Sequence, residues 1–228
     1  MQRVSVIVPC WNQLRYTTLC SAGLHYTTYP HEVIWINNGS RDGTREFLDG
    51  EASRHCGDQV IHNESNRGYP VACNQGASKS KEAYLCFLNN DVRLQPGWLG
   101  ALMHAMEFSD LTGPWLVHRW IIRDIVISYL EGACLLVKQQ VFRDLGGFDE
   151  AYSPCYWEDA DLCVAAQTCG YHMTAAPAAI PLIHHFASKT AQTQRDFSIR
   201  QVAERNKSYF CRKWQRLGFR SEPEGAES

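Results

Sequence analysis

Short apolar runs recur along the first part of the chain, separated by stretches whose apolar residues are spaced as in a helix. The runs at 4–8 (Val-Ser-Val-Ile-Val), 32–36 (Glu-Val-Ile-Trp-Ile), 59–62 (Gln-Val-Ile-His) and 84–88 (Tyr-Leu-Cys-Phe-Leu) are rich in β-branched and aromatic side chains and read as strands. Residues 13–27, 44–54 and 69–80 between them read as helices. Alternation at this interval predicts β-α-β units on a parallel sheet. Later the pattern is less regular: a helix is expected at 97–108, strands at 121–130 and 133–138, and a strand end at the apolar run before His184. A Gly146-Gly147-Phe148-Asp149-Glu150 turn precedes a helix beginning within 157–163, and 198–217 reads as a C-terminal helix. With no linker-like composition shift and no internal repeat, one domain is expected over 1–220, followed by a frayed tail.

The residues after each strand say more about function. Pro9-Cys10-Trp11-Asn12, Asn37-Asn38-Gly39-Ser40-Arg41-Asp42-Gly43-Thr44, Asn63-Glu64-Ser65-Asn66-Arg67-Gly68 and Asn89-Asn90-Asp91 are polar segments on one edge of the predicted sheet. Open α/β sheets bind ligands at the carboxyl ends of their strands, so four such segments point to a nucleotide-type pocket. Ordinary turn chemistry accounts for any one of them taken singly.

Composition narrows the classes. The 228 residues are 45% hydrophobic and 20% charged, as in a globular protein, and the net charge of −2 argues against a general nucleic-acid binder. No run approaches the ~18 apolar residues of a membrane span. The first residues lack the pattern of a secretory signal, so a soluble cytoplasmic protein is expected. Ten cysteines form no C-x-x-C pair, and several lie in apolar runs, which reads as reduced structural thiols.

Four groups carry candidate chemistry. Asp91, at the end of an apolar strand, is a ligand for Mg2+ or Mn2+ or else a turn residue. Glu158, Asp159 and Asp161 supply either a general base or acidic groups suited to a helix N-terminus. His184-His185 offers one metal-ligating imidazole. Arg67, beside Gly68, places a guanidinium against a pyrophosphate or simply projects from a loop.

In order, these segments resemble the family 2 glycosyltransferases, which have the GT-A fold. The resemblance runs from Val4–Pro9 with Trp11-Asn12 through Asn37–Ser40 and Asp42–Thr44, Asn66-Arg67-Gly68 and Asn74-Gln75-Gly76. It continues through Phe87–Asp91, Gly146–Glu150, Glu158–Cys163 and His184-His185 to Asn206–Trp214. It implies an α/β/α sandwich with a mixed, mainly parallel central sheet. Residues 1–91 would form its nucleotide-binding half and 92–220 its acceptor half. It also implies inverting sugar transfer from a nucleotide-diphosphate sugar to an acceptor hydroxyl, in polysaccharide or glycoconjugate biosynthesis. Pro9, Trp11 and Asn12 would line the base, Asn37 and Asn38 would read it, and Arg67 with Gly68 would lie near base and diphosphate. Asn89 would face the ribose next to Asn90, Asp91 would hold Mn2+ or Mg2+ with His185 or its neighbour His184, and Asp159, paired with Glu158, would be the base.

Asn37 and Asn89 stand where that family usually has aspartate. An amide carbonyl accepts from the imide N–H of uracil or thymine, which favours UDP or dTDP over GDP donors. The lost charges keep open a non-catalytic sugar-nucleotide-binding protein on the same fold. A nucleotidyltransferase would need a glycine- and lysine-rich loop after the first strand, and a zinc hydrolase an H-E-x-x-H spacing; neither is present. On the acceptor side Trp115, Trp120, Tyr152, Tyr156 and Trp157 are candidates for stacking on sugars. The basic amphipathic stretch around Arg205–Arg220 suits either packing on the domain or peripheral attachment to the inner face of a membrane, with a carbohydrate or lipid-linked acceptor.

Overall fold

The computed structural model describes residues 2–54, 56–122, 125–186 and 199–218. β1 (Val4–Cys10) lies between β2 (His31–Asn38) and β4 (Tyr84–Leu88), and β2 carries β3 (Gln59–Asn63) on its outer side, all four parallel. On the other flank β4 pairs antiparallel with β9 (Cys134–Lys138), which pairs antiparallel with β6 (Leu111–Gly113). β10 (Met173–Ala175) closes that edge, parallel to β6. The result is a seven-stranded mixed, mainly parallel sheet.

Strand side chains alternate between the two faces, and two cores result. On one face Val4, Val6, Val8, Val33 and Trp35 pack against Cys20 and Leu24 of α1 (Leu14–His25), Leu48 of α2 (Thr44–Arg54) and Trp98, Leu99 and Leu102. On the other, Ile7, Ile34, Ile36, Leu85 and Phe87 pack against Ala72 and Cys73 of α3 (Tyr69–Lys79). Trp98, Leu99 and Leu102 belong to α4 (Trp98–Ala105). Phe142 of α5 (Gln139–Asp144) and Leu162 and Cys163 of α6 (Glu158–Thr168) complete the second core. A third cluster forms where Phe210 and Cys211 of α7 (Ile199–Lys213) pack on Tyr152, Ala160 and Val164. All ten cysteines are free, seven of them buried, so most serve as small apolar side chains.

Two small antiparallel pairs stand apart from the main sheet. β5 (Val92–Leu94) pairs with β11 (Ile183–His185), with His185 opposite Val92. β7 (Leu116–Ile122) and β8 (Ile125–Leu130) form a hairpin with a register break between His118 and Trp120. The single strand expected at 121–130 is therefore the return arm plus the end of the outgoing arm. Polar His118 and Arg119 break the apolar pattern of the outgoing arm, which hid it. The apolar run before His184 is mostly a 3-10 segment, Pro177–Leu182, because two prolines deny it ladder donors. The predicted tail and Ser188, Phe219 and Arg220 lie outside the described residues. Among the described residues no helix is long and apolar enough to cross a membrane.

α3 lies close on β1 because Gly76 has no side chain: a Cβ there would sit 2.5 Å from Ile7 Cγ2 and 3.0 Å from Ile36 Cδ1. Gly76→Ala gains about 1 kcal/mol of helix propensity but overpacks a rigid central strand at a cost of about 1–3 kcal/mol. A lowered denaturation midpoint is expected; an unchanged or raised one would show that Ile7 yields.

Candidate active site

A cavity of about 390 Å3 opens at the carboxyl ends of β1, β2 and β4. One wall consists of Pro9, Cys10, Trp11, Asn38, Asn66, Tyr69 and Asn89-Asn90-Asp91. The rest of the lining comprises Tyr129, Glu131, Gly132 and Ala133 at the end of β8 and the start of β9, Pro154, Cys155 and Tyr156, and the acid pair Glu158 and Asp159, with His185 beside Asp91. No lysine or arginine is among these residues.

Asn38, at the end of β2 and 3% exposed, uses its whole amide. Its Nδ2 donates to Asn66 Oδ1 (2.9 Å) and the Gly68 carbonyl (3.2 Å), and its Oδ1 accepts from Asn63 Nδ2 and the Arg67 N–H (both 3.0 Å). One side chain thus holds the loop after β3 against the cavity. Asn90 ties the end of β4 to α1 by donating to Thr17 Oγ1 at 2.9 Å.

Asn37 points the other way. It is 1% exposed, its Oδ1 accepts from Ser40 N (3.0 Å), and its Nδ2 lies 3.1 Å from His62 Nδ1, whose Nε2 in turn meets Asp49 at 2.9 Å. Its carbonyl is engaged inside the loop and does not reach the cavity lining, so the structure gives no support to a preference for UDP or dTDP. Arg67 contributes a backbone N–H to Asn38 while the residue itself is exposed and outside the lining. Gly68 (φ +91°) allows a close approach to Ser153 and Pro154, a Cβ there falling 2.8 Å from Ser153 Oγ. Asn12, in a left-handed turn (φ 53°), binds across to Ser40 Oγ and Arg41 N and also lies outside the lining.

The pairing of β11 with β5 brings His185 to Asp91, with Nε2 3.2 Å from Oδ1, and Asn89 Nδ2 lies 3.3 Å from the same nitrogen. Asp91 is almost fully enclosed, His185 partly open, and His184 faces outward, its ring against Phe186. The carboxylate–imidazole separation is close to the ~3 Å between neighbouring ligands of a small octahedral cation. The two donors fit a Mg2+ or Mn2+ ion whose shell is completed by water and substrate phosphates. Among the described residues no group of three or more His, Cys, Asp or Glu is arranged to hold a metal.

Across the cavity α6 begins with the acid pair. Asp159 Oδ2 accepts from Gly132 N (2.9 Å) and its Oδ1 from Ala160 N (2.8 Å). Burial pushes its carboxyl above the ordinary carboxylate range, and these backbone donors restrain the rise. Glu158 is 6% exposed and its Oε2 is buried without a hydrogen-bond partner; burial, then the neighbouring Asp159 charge, raise its carboxyl well above the ordinary 4.5. The two carboxyls thus differ in surroundings: Asp159 has backbone N–H donors on both oxygens, whereas Glu158 Oε2 has no hydrogen-bond partner. Asp161 is not part of this pair. It is buried beneath α7, where it accepts from Tyr152 OH, Trp214 Nε1 and Lys213 Nζ at 2.8–3.0 Å.

Of the aromatic candidates, Tyr156 lines the cavity, Tyr152 is fully buried, and Trp157 packs on Phe210 at 5.0 Å. Trp115 lies near His185, with ring centroids 6.5 Å apart. Tyr69, Tyr129 and Glu131 were not anticipated as cavity residues. Tyr69 OH donates to the Gly132 carbonyl at 3.0 Å, so the Glu131-Gly132 turn is held from both walls. In the sequence that turn reads only as a break between strands.

A mixed, mainly parallel seven-stranded sheet with helices on both faces and a cavity at the carboxyl ends of its strands is a GT-A-type fold. The family profile "Glycosyl transferase family 2" matches residues 5–145, and the chain belongs to that family. It is 25% identical over 217 residues to the pre-mycofactocin glycosyltransferase of Mycobacterium tuberculosis, covering 80% of this chain and 43% of that one. It is 24% identical over 220 residues to the N-acetylglucosaminyl-diphospho-decaprenol L-rhamnosyltransferase of the same organism, covering 73% and 70%. Glycosyltransferase AglE of Haloferax volcanii is 31% identical over 99 residues, covering 42% and 33%. The chain thus spans less than half the length of two of these three relatives.

Among solved structures, the fold matches the mannosyltransferase PcManGT from Pyrobaculum calidifontis in complex with GDP-Man and Mn2+, at a TM-score of 0.66 and 18% identity over 78% of this chain and 55% of that one. It also matches GalNAc-T7 with UDP, GalNAc and Mn2+, at 0.68 and 16% over 78% and 43%.

A carboxyl group with a raised native pKa stabilises the fold fully below its unfolded value, and that contribution is lost as pH rises toward the native value. Glu158→Gln should therefore flatten the fall in stability above about pH 4.5, measured as denaturation midpoints across pH. A variant with the wild-type slope would show that Glu158 is ionised in the native protein.

Proposed function

We propose that the chain is an inverting glycosyltransferase that moves a sugar from a nucleotide-diphosphate sugar to an acceptor hydroxyl in glycoconjugate biosynthesis. The observation that carries this reading is the convergence on one cavity of the paired Asp91 and His185 with the acid pair Glu158 and Asp159. The donor nucleotide lies on the wall built by the first ninety-one residues, against Pro9, Trp11, Asn38 and Asn89-Asn90, and the acceptor enters along Tyr129, Glu131 and Tyr156. Asn12, Asn37, Arg67 and Gly68 shape the donor wall from behind, through the loop contacts that they make.

The charge of the cavity supports a requirement for a divalent cation. Four carboxyl groups line it without a lysine or arginine, a poor host for a diphosphate on its own. Asp91 and His185 are the residues that would hold Mn2+ or Mg2+, and such an ion would supply neutralisation of the charge developing on the leaving diphosphate. Asp159, ionised and with a raised pKa, takes the proton from the attacking hydroxyl. In this reading the acceptor oxygen attacks the anomeric carbon from the face opposite the diphosphate as the bond to the leaving diphosphate breaks, so that configuration is inverted.

Donors are identified by thermal shift with UDP-, dTDP- and GDP-sugars, each with and without Mn2+; at ~100 times Kd a ligand adds about 2.7 kcal/mol. Asp159→Asn should lower turnover of the binding donor by about 10²–10⁴-fold and leave its shift intact. Loss of both together would make Asp159 structural, and full turnover would refute the mechanism. Asp91→Ala should abolish the Mn2+-dependent part of the shift; an unchanged Mn2+ increment would remove Asp91 from the cation site.

A non-catalytic sugar-nucleotide binder is the second reading, favoured by Asn89 leaving only two protein donors for a cation. It predicts a shift with no turnover in the wild type.

A further inference from the structure

α7 reaches the active-site wall through one buried amide. Asn206 is 1% exposed, and its Nδ2 lies 2.6 Å from the Tyr152 carbonyl, 2.8 Å from that of Cys155 and 3.0 Å from that of Tyr156. Two amide hydrogens shared among three carbonyls saturate the group as a donor, and its Oδ1 accepts from Arg205 Nε at 3.0 Å. Arg205 adds a bond from Nη2 to the Ser153 carbonyl.

The segment so gripped is unusual. Tyr156 and Trp157 both have left-handed backbones (φ 75° and 77°) without being glycine, a conformation that persists only when its surroundings impose it. Its Pro154, Cys155 and Tyr156 line the cavity, and the Pro154 carbonyl accepts from Tyr69 N at 2.7 Å. α6 follows at once with no side-chain cap, so the left-handed pair sets where the first turn, and with it Asp159, is placed.

We propose that Asn206 is a positioning residue for the sugar transfer: its amide holds residues 152–156 in the one conformation that sets Asp159 against Gly132 and walls the acceptor side of the cavity. This rests on Asp159 being the base. The anchoring of α7 is separate from this role. Phe210 is fully buried, Lys213 Nζ bridges Asp149 and Asp161 at 2.7 and 2.8 Å, and Trp214 Nε1 donates to Asp161 at 2.8 Å. A substitution at Asn206 therefore leaves the helix docked, whereas Lys213→Met loosens docking without touching the three carbonyls.

The test compares Asn206→Ala, Asn206→Asp and Lys213→Met in the full chain. Asn206→Asp keeps the shape and the acceptor for Arg205 but has no N–H to give. Hydrogen exchange should quicken by about tenfold in residues 152–157 and at Gly132, and stay unchanged in β1–β4, for both Asn206 variants. The Mn2+-dependent shift of the sugar nucleotide that binds wild type should survive. Release of nucleoside diphosphate from it should fall by about 10–100-fold in kcat, with donor KM within about twofold.

Asp as damaging as Ala supports donation rather than packing. Unchanged exchange in the segment, exchange rising throughout the chain, an active Asn206→Asp, or the same local pattern in Lys213→Met would each overturn the proposal. Turnover unaffected by Asp159→Asn would instead overturn the reading beneath it, and the exchange data would still report whether Asn206 holds the segment.

Discussion

A buried parallel sheet ends in polar groups that water reaches poorly, and each of them has to find a partner at that edge. An unpaired buried donor or acceptor costs about 1–3 kcal/mol, comparable with a large share of a domain's net stability. Asn38 meets this constraint by engaging all four of its hydrogen-bonding positions, Asn90 by reaching Thr17, and Asp159 by accepting from Gly132 and Ala160. The cavity therefore has walls fixed before any ligand arrives. Among the described residues Glu158 Oε2 departs from this, buried with no hydrogen-bond partner beside Asp159, as do Trp35 Nε1 and Ser153 Oγ.

The central sheet was legible because its signals are local and strong. β4 and α2 begin and end where the apolar spacing places them, and β1 and β2 run two residues beyond the expected ends, into the polar segments. Such extension follows from the parallel ladder, which pairs Pro9 with Ile36 and Cys10 with Asn37 whatever the hydropathy of those residues. The three-residue strands β5, β6 and β10 were not legible, since they are too short to display a period and exist only because a distant partner offers a ladder, whereas β11 was legible as a strand end at the histidine pair. The hairpin of β7 and β8 was half legible for the reason already given at His118 and Arg119.

The site was readable as segments and less so as side chains. Consecutive residues in extended chain face opposite sides, so neither Asn37-Asn38 nor His184-His185 could place both members in one cavity. Asn38 and His185 are the members that line it, a choice made by the register of β2 against β3 and of β11 against β5. No local pattern reveals that register. Tyr69 and Glu131 were invisible for a related reason, as the Glu131-Gly132 turn meets Tyr69 and Asp159 across long stretches of sequence.

Adjacent carboxyl groups at one helix N-terminus acquire different character from their backbone surroundings. The dipole of α6 favours negative charge on its first turn, yet burial and the proximity of two carboxyl groups raise both above the ordinary carboxylate range. Asp159, with two backbone N–H donors on its oxygens, is the cheaper anion, and Glu158, with an unpartnered oxygen, is the cheaper acid. The arrangement gives Asp159 a raised proton affinity without loss of its charge, the property that general-base catalysis requires. The Glu158 carboxyl, raised well above its ordinary range by burial and by the Asp159 charge, lines the same cavity. Both features follow from where the Gly132 turn sits, and that turn is held from the opposite wall by Tyr69.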